Sequence, residues 1–531
     1  MADEQVLAAA ESGVAEVVAR WARDAPDRAF LLTDAGVLGY RAVDEGAREV
    51  AEALLAVGID EGDRVAVAAP NCTEWILLWL ATAKIGAVLV TLNVVYREQE
   101  FEYMLGQSVA RLLVCAAEAR GYDFVAMLAA MRDRIPGVEG IVFLADGDGA
   151  GDLAAVSGAL SWPEFVAGGR GGRAGAPPAS AVGAAPAVIL YTSGTTGAPK
   201  GAVLTQGGIL ASAAGEAERF DLIGTDVILG HMPLNHVGGL TCTIAAAAVA
   251  GAAVALVPGF HPEQSLDAAA SRRVTVLVGV PTMYTLMLGG IGDRDLSAVR
   301  LCVVGGANLE PALAQRMRQA FPGVRIANLY GASEASGACI VSAADDGPEL
   351  IATSIGTPLA GVRVRVVGPD GAPVPPGADG ELQVRGPSVA AGYWGMPEAT
   401  AAAFGADGWL ATGDVAVLSE DGHVALRGRL KEMYVRGGYN VYPAEVENFV
   451  GGLAGVAMVA VIGVPNAVYG ETGRAFVVPA RGAEIEPDVI REACRAAFAA
   501  YKVPDEVLVV DALPLTPAGK IRKAVLPTGE V

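Results

Sequence analysis

Residues 187–190 form a short apolar run of the kind a buried strand needs. They empty into Tyr191, Thr192, Ser193, Gly194, Thr195, Thr196, Gly197, Ala198, Pro199, Lys200 and Gly201. Glycines let a backbone turn its N–H groups inward with no Cβ in the way, hydroxyls donate to phosphoryl oxygens, and Lys200 adds a cation. The stretch reads as a strand delivering a loop built for phosphate. It is not the G-x-x-x-x-G-K-[ST] phosphate loop, because Pro199 stands where that pattern requires glycine.

Upstream, apolar positions recur at helical spacing through residues 13–57, around Val17, Val18, Trp21, Val50, Ala53, Leu54 and Val57, with a strand-like piece at 30–33. Strands are predicted over 64–69, 87–92 and 111–116, with helices over 72–85 and 98–106 between them. Alternation of this kind predicts an α/β fold with parallel strands and helices on both faces, the doubly wound class. Residues 168–186, dense in Gly, Ala and Pro, read as a surface loop leading into the phosphate strand. A turn-rich β region with short strands follows near Gly356 and Gly380. From residue 431 the pattern shortens to helices over 444–450 and 487–500 and strands over 456–463, 474–478 and 506–510, a small α+β unit.

A chain of 531 residues with 53% hydrophobic and 18% charged residues is globular rather than disordered. Its 38 basic and 59 acidic residues leave a net charge of −21, which argues against nucleic acid or an anionic membrane surface as partner. Six cysteines without C-x-x-C pairing read as reduced thiols, and four histidines do not stand at zinc-ligand spacing. The first residues lack the basic start and apolar run of a signal peptide. The uncharged stretch 241–260 is mostly Ala and Gly without Lys or Arg at its flanks, so it reads as a buried helix followed by a strand rather than a membrane span. A cytoplasmic enzyme is expected.

Further along, His231, Met232 and His236 lead into Val237, Gly238 and Gly239, and nothing there resembles a Ser-His-Asp triad with an evident nucleophile. A strand over 301–304 ends in Gly305, Gly306, Ala307 and Asn308. Asn328, Tyr330, Gly331, Ala332, Ser333 and Glu334 set a hydroxyl beside a carboxylate, and magnesium needs only one or two carboxylates when substrate phosphates complete its shell. Asp414, after Thr412 and Gly413, offers two oxygens to the two hydroxyls of a ribose. Arg427, Arg429, Lys431 and Arg436 concentrate positive charge in an acidic chain, and Thr516, Gly519 and Lys520 lie near the end.

In this order the strings resemble the adenylate-forming superfamily (acyl-CoA synthetases, firefly luciferases and peptide-synthetase adenylation domains) from residue 15 to residue 525, and most of all AMP-forming acyl-CoA synthetases. The resemblance implies a large N-terminal adenylation domain, 1–430, of doubly wound α/β layers plus a small β region, binding ATP and carboxylate. It also implies a small mobile α+β lid, 431–531, pivoting at Lys431 and carrying the catalytic Lys520. Thr192, Ser193, Gly194, Thr195, Thr196, Gly197 and Lys200 would meet the phosphates, with Thr195 among the catalytic groups. Gly306, Ala307, Asn308, Asn328, Gly331 and Ala332 would surround the nucleotide, with Tyr330 against adenine, Ser333 on the α-phosphate, Asp414 on the ribose and Leu426 and Arg429 nearby. Glu334 would hold Mg2+. Met232, His236, Val237, Gly238, Gly305 and Gly306 would line the acyl site, His236 at the carboxyl group, and Arg436, Gly437, Gly438 and Tyr439 the path of coenzyme A. Gln206, Ser333 and Tyr439 depart from the family pattern.

The implied chemistry is attack of a carboxylate on the α-phosphorus of ATP, releasing pyrophosphate, then attack of the CoA thiol on the acyl-adenylate, releasing AMP. The small apolar acyl site, without Arg or Lys, favours a hydrophobic or bulky monocarboxylic acid, as in fatty-acid metabolism. Loading of a carrier protein, light-producing oxygenation, or specialisation for thioesterification alone are the alternatives. A homodimer is the working expectation for the assembly.

Overall fold

The computed structural model describes residues 2–144, 153–170, 182–192, 199–307, 309, 311–437, 439–515 and 521–529. Two largely parallel sheets carry the fold, as the β/α alternation predicts. The larger has nine strands in the order Thr357–Pro358, Gly337–Val341, Arg325–Ala332, Leu301–Gly305, Val276–Gly279, Val227–Gly230, Ala253–Leu256, Ala29–Thr33 and Gly36–Gly39. The other has seven, in the order Lys200–Thr205, Pro186–Thr192, Val88–Thr91, Arg64–Ala68, Leu112–Ala116, Gly140–Leu144 and Leu160–Ser161.

Period-two alternation sends each strand's side chains to two different cores. Val188 and Leu190 of Pro186–Thr192 join the core between the two sheets, where the helices Tyr40–Ala56, Thr73–Ile85 and Gln206–Arg219 are sandwiched. Ile189 and Tyr191 face the opposite side, against Glu98–Ser108 and Phe124–Met131. Helices Pro262–Ser271, Pro281–Leu288 and Pro311–Ala320 cover the outer face of the nine-stranded sheet. The result is helices, sheet, helices, sheet, helices. Trp75 and Trp79 are fully buried in the middle layer, and truncating either to Ala would cost about 3–5 kcal/mol.

One boundary differs from the sequence reading. Residues 168 and 169 are not loop: they close the helix Trp162–Gly169, whose start is fixed by a reciprocal capping box between Ser161 and Glu164 and by proline in the first turn. A Cβ at Gly169 would stand 2.4 Å from the Ala53 nitrogen, so glycine is what lets this helix end lie on its neighbour. The stretch 241–260 is a π-helical turn, Leu240–Ala245, continuing into Ala246–Ala250 and then the strand Ala253–Leu256. No helix among the described residues is long and apolar enough to cross a membrane.

An antiparallel four-stranded sheet, Arg363–Val367, Asp379–Arg385, Leu410–Leu418 and Val424–Arg429, is the expected β region. The last part of the chain builds a separate five-stranded sheet from Tyr434–Arg436, Tyr439–Val441, Val456–Asn466, Gly470–Pro479 and Glu506–Val509. The helices Pro443–Gly451 and Pro487–Ala497 pack on it around Tyr434, Val446, Ile490 and Cys494.

Candidate active site

The phosphate-loop candidates Ser193, Gly194, Thr195, Thr196 and Gly197 lie outside the described residues, but both flanks are in place. Pro186–Thr192 and Lys200–Thr205 are antiparallel neighbours, and Thr192 stands opposite Lys200. Lys200 is thus the first residue of the returning strand rather than part of the loop. The helix Glu98–Ser108 pins both flanks: the Tyr103 hydroxyl donates to the Pro199 carbonyl at 2.9 Å, and the Tyr191 hydroxyl meets the Met104 carbonyl and the Gln107 side chain at 3.1 and 2.5 Å.

Glu334 belongs to a tight turn, Ser333–Ala335, between the strands Arg325–Ala332 and Gly337–Val341. At Gly331 a Cβ would stand 2.2 Å from the Gly337 carbonyl oxygen, so only glycine permits the strands to approach this closely. Residues 390–394 run along the strand Lys200–Thr205: Ala391 N–H donates to Val203, Val203 N–H to Gly392, and Trp394 N–H to Gly201. This brings Tyr393 to the centre. Its hydroxyl donates to Glu334 Oε1 at 2.8 Å, and the Lys200 ammonium lies 5.0 Å from its ring centroid. Burial and the Glu334 charge both push the phenol up, so it is a donor at any working pH. The sequence analysis did not single out Tyr393.

Tyr330 and Asp414, 84 residues apart in the chain, touch directly. The Tyr330 ring is buried and its hydroxyl donates to Asp414 Oδ2 at 2.5 Å, while Arg429 Nε meets the other carboxylate oxygen at 3.1 Å. Asp414 lies directly across the strand pair from Arg429. Each carboxylate oxygen keeps a lone pair for another donor. Asn328 is buried, its amide N–H directed to the Ser354 carbonyl at 3.2 Å, and its own side-chain oxygen has no partner. Asn328 and Leu426 line a cavity of about 310 Å³ that the helix Pro443–Gly451 closes with Glu445, Asn448 and Phe449. A larger cavity, about 810 Å³, lies between the four-stranded sheet and the lid, and contains none of the residues assigned to the nucleotide. Gly305 ends its strand, and Gly306 takes φ +78° at the turn beyond it. Asn308 lies outside the described residues.

The two histidines separate clearly. His231 is fully buried between Val278, whose carbonyl is 2.8 Å from Nε2, and the Ser265 hydroxyl, 3.2 Å from Nδ1. Burial lowers its pKa to about 4, so it is a neutral structural group. His236 is half-buried and caps the turn Val237–Gly239. Its Nδ1 accepts from the Gly238 N–H at 3.1 Å, which leaves the proton of the neutral ring on Nε2. Asn71 locks the segment between them, donating to the Gly230 and Met232 carbonyls and accepting from Leu234 N–H. Gln206, noted as a departure, is buried and accepts from the Val14 N–H at 3.0 Å: it ties the start of the helix Val14–Asp24 to the helix Gln206–Arg219.

Of the coenzyme A candidates, Arg436 is engaged inside the lid, donating to the Ala500 carbonyl at 2.6 Å and to Asp505 at 2.7 Å. Gly437 takes φ +58°, and Gly438 is not among the described residues. Tyr439 is exposed and stacks on Tyr501 with centroids 4.7 Å apart. Lys431 is exposed in the turn before Tyr434–Arg436. Lys520 lies outside the described residues; Leu515 and Ile521 pair with each other. Two residues beyond, Lys523 donates to Glu432 at 2.6 Å and to Glu447 at 2.9 Å. Burial works against the Lys523 ammonium, but Glu447 and Glu432 outweigh it and hold it charged.

Comparison with known proteins matches this arrangement. The AMP-binding enzyme family matches residues 18–394, and the AMP-binding enzyme C-terminal domain residues 445–520. A feruloyl-CoA synthase from an Amycolatopsis species is 37% identical over 508 residues, which cover 95% of this chain and 96% of that one. The ATP-bound crystal structure of MatB from Rhodopseudomonas palustris superposes with a TM-score of 0.82 at 30% identity, over 96% and 98% of the two chains. An anthranilate CoA ligase, AuaEII, in complex with anthranoyl-AMP, superposes at 0.87 with 27% identity over 97% and 96%. The chain belongs to the AMP-binding enzyme family and is an AMP-forming acid–CoA ligase, acting with ATP and coenzyme A on a carboxylic acid.

Proposed function

We propose that this ligase activates a hydrophobic or bulky monocarboxylic acid at the junction of Lys200, Tyr393, Glu334 and the Asp414 cluster, and that the lid alternates between two half-reactions. The observation that carries the reading is the convergence of these side chains, drawn from separate segments, at the strand ends beside the phosphate hairpin.

In the first half-reaction a carboxylate oxygen of the substrate attacks the α-phosphorus, a P–O bond forms, and the bond to pyrophosphate breaks. Lys200 and the hydroxyls of Thr192, Ser193, Thr195 and Thr196 neutralise and orient the phosphates, and Lys520 bridges carboxylate and α-phosphate. Ser333 donates to the α-phosphate. Asp414, set by Tyr330 and Arg429, accepts from the ribose hydroxyls, and the unpartnered Asn328 oxygen suits the amino group of adenine. The donor set fits Mg2+, since Glu334 offers one carboxylate and the substrate the remaining oxygens; bound there, the ion would neutralise phosphate charge. His236 holds the carboxyl group through its Nε2–H. In the second half-reaction the CoA sulfur attacks the acyl carbon, the bond to AMP breaks and the thiol proton leaves to solvent. The lid, 431–531, turns about Lys431 to exchange Lys520 for the Gly437–Tyr439 strand.

The test is carboxylate-dependent ATP–pyrophosphate exchange without CoA, over pools of fatty, aromatic and polycyclic acids. Exchange with an apolar pool, followed by thioester on adding CoA, is the expected result. Exchange with dicarboxylates alone would overturn the substrate class, and none with any pool would overturn adenylation by this chain.

A further inference from the structure

Glu216 is a carboxyl group in the wrong place for a structural residue. It lies on the inward face of the helix Gln206–Arg219 at 1% exposure, and no cation among the described residues pairs with it. Its neighbours are the Ser212 hydroxyl at 3.4 Å, the Cys242 thiol and the backbone at Ala338. Burial raises its pKa to about 7, with the hydrogen bonds from Cys242, Ala338 and Ser212 opposing the shift. An unpaired buried carboxylate is costly, and such groups concentrate where ligands are recognised.

The surroundings are polar and incomplete. Thr241 and Ser336 are fully buried, and neither hydroxyl has a hydrogen-bond partner. Thr241 belongs to one patch with Glu216, since a Cβ at Gly337 would stand 2.7 Å from Ser212 Oγ and 2.9 Å from the Thr241 methyl; Ser336 lies further back along the same helix, its Oγ 3.1 Å from where a Cβ at Gly208 would stand. Buried hydroxyls are nearly always satisfied, so the orphan Thr241 hydroxyl beside a carboxyl that no cation meets marks a missing polar partner.

Position decides what those partners are. Thr241 and Cys242 stand in the π-helical turn that begins immediately after His236 and Gly238, and π-turns recur at functional sites. Ser336 and Gly337 follow Ser333 and Glu334 directly. The two segments that meet the substrate's carboxyl end therefore both run on into this patch, through residues with little or no side chain: Gly238, Gly239, Ala335 and Gly337.

We infer that the acyl site ends on Glu216, Ser212 and Thr241, and that the acid it takes carries a hydrogen-bond donor, a hydroxyl or amino group, at the end remote from its carboxylate. The inference rests on the adenylation reading above. Glu216 accepts from that donor, and the orphan Thr241 hydroxyl completes its shell. The same carboxylate repels a second carboxylate, which is a physical reason for excluding dicarboxylic acids.

The experiment is exchange measured on pairs of acids equal in length, one ending in a methyl group and the other in a hydroxyl or amino group, on short aryl and medium alkyl scaffolds. The polar member of at least one pair should be preferred about tenfold or more in kcat/KM. Glu216→Leu should bring that ratio to one or reverse it, and Thr241→Val should lower it. A ratio within one enzyme cancels any loss of folded protein, and Glu216→Gln, which keeps the shape, should weaken the preference if the leucine variant does not fold. Equal use of both members of every pair, or a preference unmoved by all three substitutions, overturns the inference and leaves adenylation standing. Exchange with no acid at all overturns adenylation and the inference with it.

Discussion

Tyr393 lies where three segments meet, and its two ends do different work. The ring faces the Lys200 ammonium, the cation proposed to meet the phosphates, while the hydroxyl donates to Glu334. Tyr393→Phe keeps the first contact and removes only the second. A hydrogen bond to a charged group is worth about 1.5–3 kcal/mol, so exchange should slow roughly tenfold, with an increased requirement for Mg2+ and an unchanged KM for the acid. An unchanged rate at limiting Mg2+ would show that Glu334 needs no such support. Nothing in the string Gly392, Tyr393, Trp394 announces this role, because Glu334 is 59 residues away and the contact exists only once residues 390–394 pair beside Lys200–Thr205. The setting of Asp414 was not legible either: Thr412 and Gly413 read as a turn, but Asp414 lies within the strand Leu410–Leu418, opposite Arg429. The contact of Tyr330 was hidden too, because its hydroxyl meets a carboxylate 84 residues further on that only the fold brings near.

Among the elements, the last segment of the chain is tied down by one lysine. Leu515 and Ile521 pair with each other, and Lys523, 17% exposed, meets both Glu432, next to the proposed pivot, and Glu447 on the helix Pro443–Gly451. On the proposed mechanism this clamp sets where Lys520 can act. Lys523→Met would leave two carboxylates facing each other without a cation, and displacing a reacting group by about 1 Å costs on the order of 10²-fold. Exchange should therefore fall about that much, thioester formation from a supplied acyl-adenylate much less, and Lys523→Arg should recover part of the loss. Equal losses in both half-reactions would make Lys523 a stability residue only. The sequence displays Lys523 as one more charge in a basic tail, and only the fold reveals its two acidic partners. The π-helical turn Leu240–Ala245 was hidden for a different reason. Every residue from 240 to 248 is buried, so the apolar run has no polar face from which a period could be read.

At the scale of the molecule, the proposed cycle has two chemistries share one phosphorus-binding site, and a single rigid arrangement cannot serve both. Adenylation needs a cation between carboxylate and α-phosphate, whereas thioesterification needs that space open to a thiol. The five-stranded sheet and its helices have their own core, around Tyr434, Val446 and Ile490, so they can move as a body without unpacking the large sheets. The β/α alternation made the large sheets legible, and the shortened pattern after residue 431 did the same for the lid. Its contacts with the four-stranded sheet were not legible, because the face a mobile domain presents is set by no local periodicity. Two substitutions separate the halves of the cycle. Lys520→Ala should lower exchange about 10²- to 10³-fold while conversion of supplied acyl-adenylate and CoA to thioester continues. Lys431→Pro fixes φ near −65° at the pivot and restricts Leu430 before it, so it should spare exchange and stop thioester formation. Parallel loss of both activities in Lys520→Ala would mean that the lysine acts on the fold rather than on the first transition state. Undiminished thioester formation in Lys431→Pro would move the pivot elsewhere in the chain.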